Sequence, residues 1–254
     1  MYYRAKAASI SAWSESSSGG SIRTTVRALL SQRDVDEAVM TASSGLGAET
    51  IVIKNAAMPI PGTCYSYNSS LVRVVSSLPQ ETRRVVVALP CQARRIREML
   101  PSTLIISPIC FQTVSQEGLM KGLEKCGLSV EERKIRSIYR KHGELLVQTS
   151  KGLFTVPFNR YWSYLKFLNF SNPQCAHCVD HFGASADIVV GDDKHRSNMI
   201  LVRTLDGLLA FESAAPMLQI KRDRFHGTRL GFTNKSVRQK VAYLIGKTLY
   251  RRRR

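Results

Sequence analysis

The chain has 254 residues, 44% of them hydrophobic, enough for a folded, soluble protein with one large core or two smaller ones. Thirty-seven Lys and Arg against nineteen Asp and Glu leave a net charge of +18. That field attracts nucleic acid, an anionic membrane, an acidic protein or a polyanionic cofactor without choosing among them. No run comes near the roughly eighteen apolar residues of a membrane span, and Met1-Tyr2-Tyr3-Arg4-Ala5-Lys6 opens no apolar secretion block. A cytoplasmic location is therefore expected, and there six cysteines read as metal ligands or core thiols rather than disulfides.

In chain order, the patterns predict a helix over Ile22 to Leu30, strands at Val35 to Met40 and Ile51 to Ile53, and a helix at Leu71 to Leu78. A strand at Arg84 to Leu89 follows, then a helix at Gln92 to Leu100, a strand at Thr103 to Ile106 and a helix at Gln116 to Lys125. Beyond Cys126 strands come in pairs: Leu145 to Thr149 and Phe154 to Pro157 around a Lys151-Gly152 turn, then Ala186 to Val190, Met199 to Val202 and Leu208 to Phe211. A last helix is expected at Ser236 to Thr248. The reading is an α/β protein with a central mixed sheet flanked by helices, becoming α+β in its second half. It is taken as one domain over 1–248, with an α/β half at 1–126, an α+β half at 127–248 and a basic tail at 249–254.

Four cysteines carry the chemistry. Cys91 follows the apolar run Arg84 to Leu89, and Cys110 follows Thr103 to Pro108, so both are expected beyond strand carboxyl ends, where open α/β sheets bind ligands. Cys175-Ala176-His177-Cys178 adds a close pair in a loop after Pro173. Four thiolates suit zinc or an iron-sulfur cluster. Structural zinc sites usually combine two close pairs, whereas Cys91 and Cys110 stand alone, nineteen positions apart; a 4Fe-4S cluster fits better, with zinc or cysteines that never meet as the alternatives. His177 sits inside the pair and is read as solvent-facing, Cys126 as a core thiol, and Cys64 as a spare thiol without a role.

Other motifs are weaker. Ser14 to Ser21, Ser-Glu-Ser-Ser-Ser-Gly-Gly-Ser, is either a flexible linker or a loop feeding a helix N-terminus that offers amides to a phosphate. The carboxylates of Asp187, Asp192 and Asp193 could hold a divalent cation, but capping of a turn is the plainer reading. No Ser/His/Asp or Cys/His arrangement supports hydrolysis. The basic stretches, including Arg94, Arg95, Arg97 and Arg251 to Arg254, read as solvated faces or tails, without an aromatic-interleaved pattern for RNA.

The combination resembles the beta subunit family of coenzyme F-420 hydrogenases and dehydrogenases, which also includes F-420-oxidising subunits and a plant chlorophyll-derivative reductase. The resemblance spans nearly the whole chain. It rests on Ser17-Ser18-Gly19-Gly20 and the following helix, Val35-Asp36, Gly62 to Ser66, Leu89-Pro90-Cys91-Gln92, Ile109-Cys110, and Cys175 to Asp180. It continues through Ala186-Asp187-Ile188-Val189-Val190-Gly191-Asp192, Ser197, Ile200 to Thr204 and Gly207. The resemblance implies an oxidoreductase subunit holding FAD beside a 4Fe-4S cluster at strand ends, with Cys91, Cys110, Cys175 and Cys178 as cluster ligands. In place of a Gly-x-Gly-x-x-Gly fingerprint, Ser17, Ser18, Gly19, Gly20, Thr24, Tyr65, Ser66 and Asn68 would line the flavin. Lys194, Arg203 or the Arg94/Arg95 helix would meet phosphates or an anionic substrate, coenzyme F-420 with its phosphate and polyglutamate tail among them. No catalytic residue is assigned. Arg23 stands where the family pattern has Thr. The ferredoxin-like segment that opens many relatives would end before this chain starts, so a further relay would be a ferredoxin-like or other redox partner. The competing class is a non-catalytic metal-stabilised scaffold or a nucleic-acid-binding protein, favoured by the +18 charge.

Overall fold

The structure is a computed structural model that describes residues 1–14, 16–62, 64, 66–110, 113–128, 135–141, 144–161, 172, 175, 178–193 and 196–222. The helix expected at 236–248 and the tail at 249–254 lie outside these residues. The main sheet has eight strands in the order β11-β1-β10-β9-β5-β4-β2-β3. They are β1 (Tyr2–Ala7), β2 (Glu37–Ser44), β3 (Gly47–Ile53), β4 (Arg84–Val87), β5 (Leu104–Pro108), β9 (Ile188–Asp192), β10 (Asn198–Val202) and β11 (Leu218–Arg222). Strands β2, β4, β5 and β9 are mutually parallel, while β3, β10, β1 and β11 extend the sheet by antiparallel pairing. The expected mixed sheet is present, and its parallel centre is flanked by helices, as such strands require.

The two-residue period of the strands divides their side chains cleanly between the faces. Ala38, Val85, Ile106, Ile188 and Val190 point to the side of α2 (Ser21–Ser31) and α6 (Leu205–Ala214). Val39, Val86, Ile105 and Val189 point to α3 (Leu71–Ser77) and α4 (Pro90–Met99). A short α1 (Ile10–Ser14) links β1 to the Ser/Gly loop. A second, three-stranded antiparallel sheet, β6 (Ile135–Lys141), β7 (Glu144–Thr149) and β8 (Gly152–Pro157), packs with α5 (Gln116–Lys125) around its own core of Leu119, Leu123, Ile138, Leu145, Val147 and Tyr161.

Several elements depart from the pattern reading. Leu208 to Phe211, expected as a strand, lies inside α6, where Thr204 accepts a hydrogen bond from the Gly207 amide and caps the helix. A short apolar run is compatible with a buried helix as well as a strand, and the cap decides it. Strands β1, β6 and β11 were not expected, because Arg4, Lys6, Arg136, Arg140, Lys221 and Arg222 interrupt their apolar pattern. The Lys151-Gly152 turn does join β7 to β8, with Gly152 at φ 132°.

Candidate functional site

A cavity of about 550 Å³ opens beyond the carboxyl ends of the parallel strands. Met40 and Thr41 of β2, Val87 to Leu89 after β4, Pro108 to Cys110 after β5 and Val190 to Asp192 of β9 each contribute to its wall. Because β10 runs antiparallel to β9, its first residues, Asn198 and Met199, join them. Arg140 and Phe158 enter from the smaller sheet.

The Ser/Gly loop closes one side. Ser16, Ser17, Ser18, Gly20, Ser21, Ile22 and Arg23 all line the cavity, so the loop and the start of α2 form a wall rather than a free linker. Gly20 is the N-cap residue at φ 74°, a left-handed conformation that glycine adopts without strain, and no side chain caps the helix start. Gly19 lies outside the lining. A β-carbon there would stand 2.7 Å from the Asn198 amide nitrogen and 2.9 Å from the Ala5 carbonyl oxygen, so only glycine lets the loop lie against β1 and β10. Asn198 fastens the loop: its Oδ1 accepts from the Ser21 amide at 3.0 Å and its Nδ2 donates to Ser18 Oγ at 2.7 Å. Ser18 Oγ in turn donates to Asp192 Oδ1 at 2.7 Å, and Arg140 donates to Asp192 Oδ2 at 2.6 Å while lying over the Phe158 ring. This chain of contacts joins the loop, the end of β9 and the smaller sheet at the cavity rim.

The other expected contacts divide. Ser66 and Asn68 line the cavity, but Ser66 Oγ is spent on the Leu46 carbonyl, and buried Asn68 is spent on Thr41, Thr50 and Ser70. They build the wall. Thr24 is not part of the lining and is buried with no hydrogen-bond partner for its hydroxyl, while its neighbour Arg23 lines the space; one step along a helix turns a side chain by about 100°. Arg203 is not at the site. It is exposed after the last residue of β10, which the antiparallel pairing puts at the far end of the sheet. Arg94 and Arg95 are exposed on the outer face of α4 and do not line the cavity either. Tyr65, Lys194 and His177 lie outside the described residues.

Cys91 occupies the second position of α4, after Pro90 in the first, where a missing N–H costs nothing. The next residue, Gln92, turns into the cavity, accepts from the Leu89 amide and donates to the Asn68 carbonyl at 2.6 Å. Cys91 is exposed as a residue, yet desolvation pushes its thiol pKa up, and repulsion from Cys178 and Cys175 pushes it further. Cys91 and Cys175 in turn add to the burial that raises the Tyr67 hydroxyl. Cys175 accepts from the Thr113 amide at 3.4 Å, and the Cys178 amide donates to the Cys175 carbonyl. Cys110 lines the cavity and is held by reciprocal contacts with His181: its amide donates to the His181 carbonyl at 3.1 Å, and His181 Nδ1 lies 3.0 Å from its carbonyl. None of the six cysteines is joined in a disulfide. Among the described residues, no three His, Cys, Asp or Glu side chains are grouped closely enough to hold a single metal ion.

The three aspartates do not converge. Asp187 accepts from Arg97, the Ile105 amide and Thr204, pinning the start of β9 to α4, β5 and α6. Asp192 belongs to the cavity rim, and Asp193 pairs with Arg4 at 2.8 Å and accepts from Ser197. They cap and tie strands, as the plainer sequence reading had it.

The family model for the C terminus of the coenzyme F420 hydrogenase/dehydrogenase beta subunit matches residues 82–225, a span that holds Cys91, Cys110, Cys175 and Cys178 and about half of the cavity lining. The chain belongs to the coenzyme F420 hydrogenase/dehydrogenase beta subunit family. The family ties it to oxidation and reduction chemistry. A chain in a solved structure of the F420-reducing [NiFe] hydrogenase complex from Methanosarcina barkeri has the same fold, with a TM-score of 0.72 over 100% of this chain and 91% of that one at 16% identity. That neighbour is part of a multi-subunit assembly. No curated protein matches the chain. Among the described residues no helix is long and apolar enough to cross a membrane.

Sequence reasoning met Arg23 only as a departure from the family's Thr, and did not single out Gln92, Arg140, Asn198 or His181 for the site. Gln92 was within reach, since a Gln two residues after a helix-initiating Pro is a helix-start signal. Arg140 was not, because its strand carried no apolar alternation.

Proposed function

We propose that this F420 hydrogenase/dehydrogenase family member is a flavin and iron-sulfur oxidoreductase subunit, passing electrons between a hydride-carrying substrate such as coenzyme F-420 and a redox partner. One observation carries the reading: Cys110 lines the strand-end cavity, and beside that cavity Cys91, Cys175 and Cys178 lie within electrostatic reach of one another. A volume of about 550 Å³ is within the usual range of cofactor pockets.

The residues fit both groups. Cys91 feels the charges of Cys175 and Cys178, and thiolates brought together in this way are the ligands that an iron-sulfur cluster would use, with Cys110 on the cavity wall as the fourth candidate. When bound, a flavin exchanges a hydride equivalent and a cluster exchanges single electrons. The chain's own part is placement. The start of α2, with no side-chain cap, and the Arg23 guanidinium would receive phosphate oxygens of FAD. Met40, Val87, Ile109 and Met199 give an apolar floor for a planar ring. Gln92 links the two groups by fixing the turn that carries Cys91 to the wall formed by Asn68. His181 fixes Cys110 by holding its backbone from both sides.

The test is anaerobic reconstitution with iron, sulfide and FAD of the wild-type chain and of Cys91→Ser, Cys110→Ser, Cys175→Ser and Cys178→Ser. Wild type is expected to hold roughly four iron, and each variant to lose most of it. Full iron in any one variant removes that cysteine from the ligand set. A colourless wild-type protein whose nucleic-acid affinity falls steeply with salt would favour the scaffold alternative instead.

A further inference from the structure

From the distribution of charge along the chain, we propose that the protein attaches to the surface of an anionic lipid bilayer through residues 236–254, with the end of the sheet opposite the cavity turned toward the lipid. Residues 224–254 hold ten of the 37 Lys and Arg and none of the nineteen Asp and Glu, so more than half of the net +18 sits in thirty-one residues. All but the first two lie beyond the stretch that the family model matches, and none of the chemistry argued above uses them. They lie outside the described residues, but their sequence is ordered. Val237, Val241, Leu244, Ile245 and Thr248 recur at the spacing of one helix face. At about 100° per residue, Arg238 flanks that stripe on one side and Lys240 and Lys247 on the other, where long stems lie along lipid while the charges stay at the headgroups. Tyr243 and Tyr250, seven residues apart, add phenol rings of the kind that settle at a membrane interface. Arg251 to Arg254 then supply four adjacent cations.

An apolar stripe gains nothing on a nucleic acid, whereas on a bilayer it adds burial to the attraction of the basic cluster for anionic headgroups. The stripe is too short, and too interrupted by Lys240 and Lys247, to cross the hydrocarbon, so the segment lies on the surface. The described residues supply a second contact. Strand β11 ends at Arg222, opposite Tyr3 of β1, at the far end of the sheet from the cavity. At that end Met1 and Val202 exchange hydrogen bonds of 2.7 and 2.9 Å, and Arg203 follows directly. Arg203, Lys221 and Arg222 are exposed there, beside Met1 and Leu205, which are 59% and 70% exposed. The exposed Asp206 offsets one of the three charges. Cations around exposed apolar side chains suit a headgroup layer, and they stand where the chain runs on from β11 toward the basic segment. The cavity opens at the opposite end of the sheet and so stays accessible from water.

The experiment is sedimentation of the full chain, across ionic strength, with vesicles of phosphatidylcholine alone and of phosphatidylcholine mixed equally with phosphatidylglycerol. Wild type is expected to follow the mixed vesicles and to stay in solution with phosphatidylcholine alone, its binding falling as salt rises. Leu244→Glu/Ile245→Glu should reduce the bound fraction to background, and replacing Arg251, Arg252, Arg253 and Arg254 together by Gln should weaken binding by roughly tenfold or more. Arg203→Gln/Arg222→Gln should weaken it by roughly threefold or more. Arg94→Gln/Arg95→Gln, an equal loss of charge on the outer face of α4, should bind like wild type. The melting temperature without vesicles should be the same for all. A wild type that ignores the mixed vesicles overturns the proposal, and so does binding indifferent to Leu244 and Ile245, which is adsorption by charge alone. A Leu244→Glu/Ile245→Glu chain that melts below wild type overturns it too, because the stripe is then packed within the protein. Binding to duplex DNA tighter than to the mixed vesicles overturns it in favour of nucleic acid. Indifference to the Arg203/Arg222 change overturns the orientation.

Discussion

Replacing Gly19 by Ala tests the role of the Ser/Gly loop at a single atom. The new β-carbon would stand 2.5 Å from Asn198 Oδ1, 2.7 Å from the Asn198 amide nitrogen and 2.9 Å from the Ala5 carbonyl oxygen. The side-chain oxygen can swing aside only by releasing the Ser21 amide at 3.0 Å, which starts α2. The two backbone atoms belong to the facing pair Ala5 and Asn198 of the β1–β10 ladder, so they cannot retreat without opening it. The loop must lift instead, and with it the Ala7 amide contact to the Gly19 carbonyl. Overpacking of this kind costs about 1–3 kcal/mol. In a domain of this size each kcal/mol lowers Tm by about 2–4 °C, giving a fall of roughly 2–12 °C by thermal melt. If the loop also walls a flavin site, the FAD dissociation constant, read by quenching of flavin fluorescence, should rise about tenfold or more, the equivalent of about 1.4 kcal/mol. Gly62→Ala is the control. It lines the same cavity but has no heavy atom within 4 Å of the new β-carbon, so its stability should stay within about 0.5 kcal/mol of wild type. A Gly19→Ala protein that melts and binds FAD like wild type would refute the packing argument.

Three further outcomes are expected. In the metal-free chain the Cys91 thiol is held above its ordinary pKa by desolvation and by Cys178 and Cys175. Its thiolate, and hence its alkylation by iodoacetamide measured by peptide mass spectrometry, should therefore appear at higher pH than in free cysteine. In Cys175→Ser/Cys178→Ser the profile should move to lower pH. Asp192→Asn removes one charge from the contacts to Ser18 and Arg140; because Asp192 is exposed, Tm should change little while FAD affinity falls. Arg84→Met strands the buried Glu37 carboxylate that it meets at 2.9 Å and should cost about 3–5 kcal/mol in urea unfolding, with part regained in Glu37→Gln/Arg84→Met.

The parallel centre was legible because β4, β5 and β9 are buried on both faces and so read as unbroken apolar runs. Helix α5 was legible to the residue, since its apolar stripe starts after Ser115, whose hydroxyl accepts from the Gly118 amide. The edge and antiparallel strands were not. Strand β1 alternates Tyr, Arg and Lys with Ala, a pattern that means strand only once β10 and β11 are known to flank it. The positions of Cys91 and Cys110 beyond two adjacent strand ends were readable, because β4 and β5 follow each other in sequence and pair in the sheet. The rim was not, because Ser18, Arg140, Asp192 and Asn198 meet across elements far apart in sequence. Arg203 misled for the converse reason: it closes a stretch typical of the family, but β10 runs the other way and carries it to the opposite end of the sheet.

The most direct measurement of the central claim is an anaerobic titration of the reconstituted chain with reduced coenzyme F-420. Flavin absorbance and the electron paramagnetic resonance of the cluster are to be read from the same samples. The account predicts that flavin bleaching is accompanied by a reduced 4Fe-4S signal, and that in Cys91→Ser the flavin bleaches without that signal. A flavin that bleaches fully while a loaded cluster stays oxidised, or a wild-type protein that holds neither group, would contradict it.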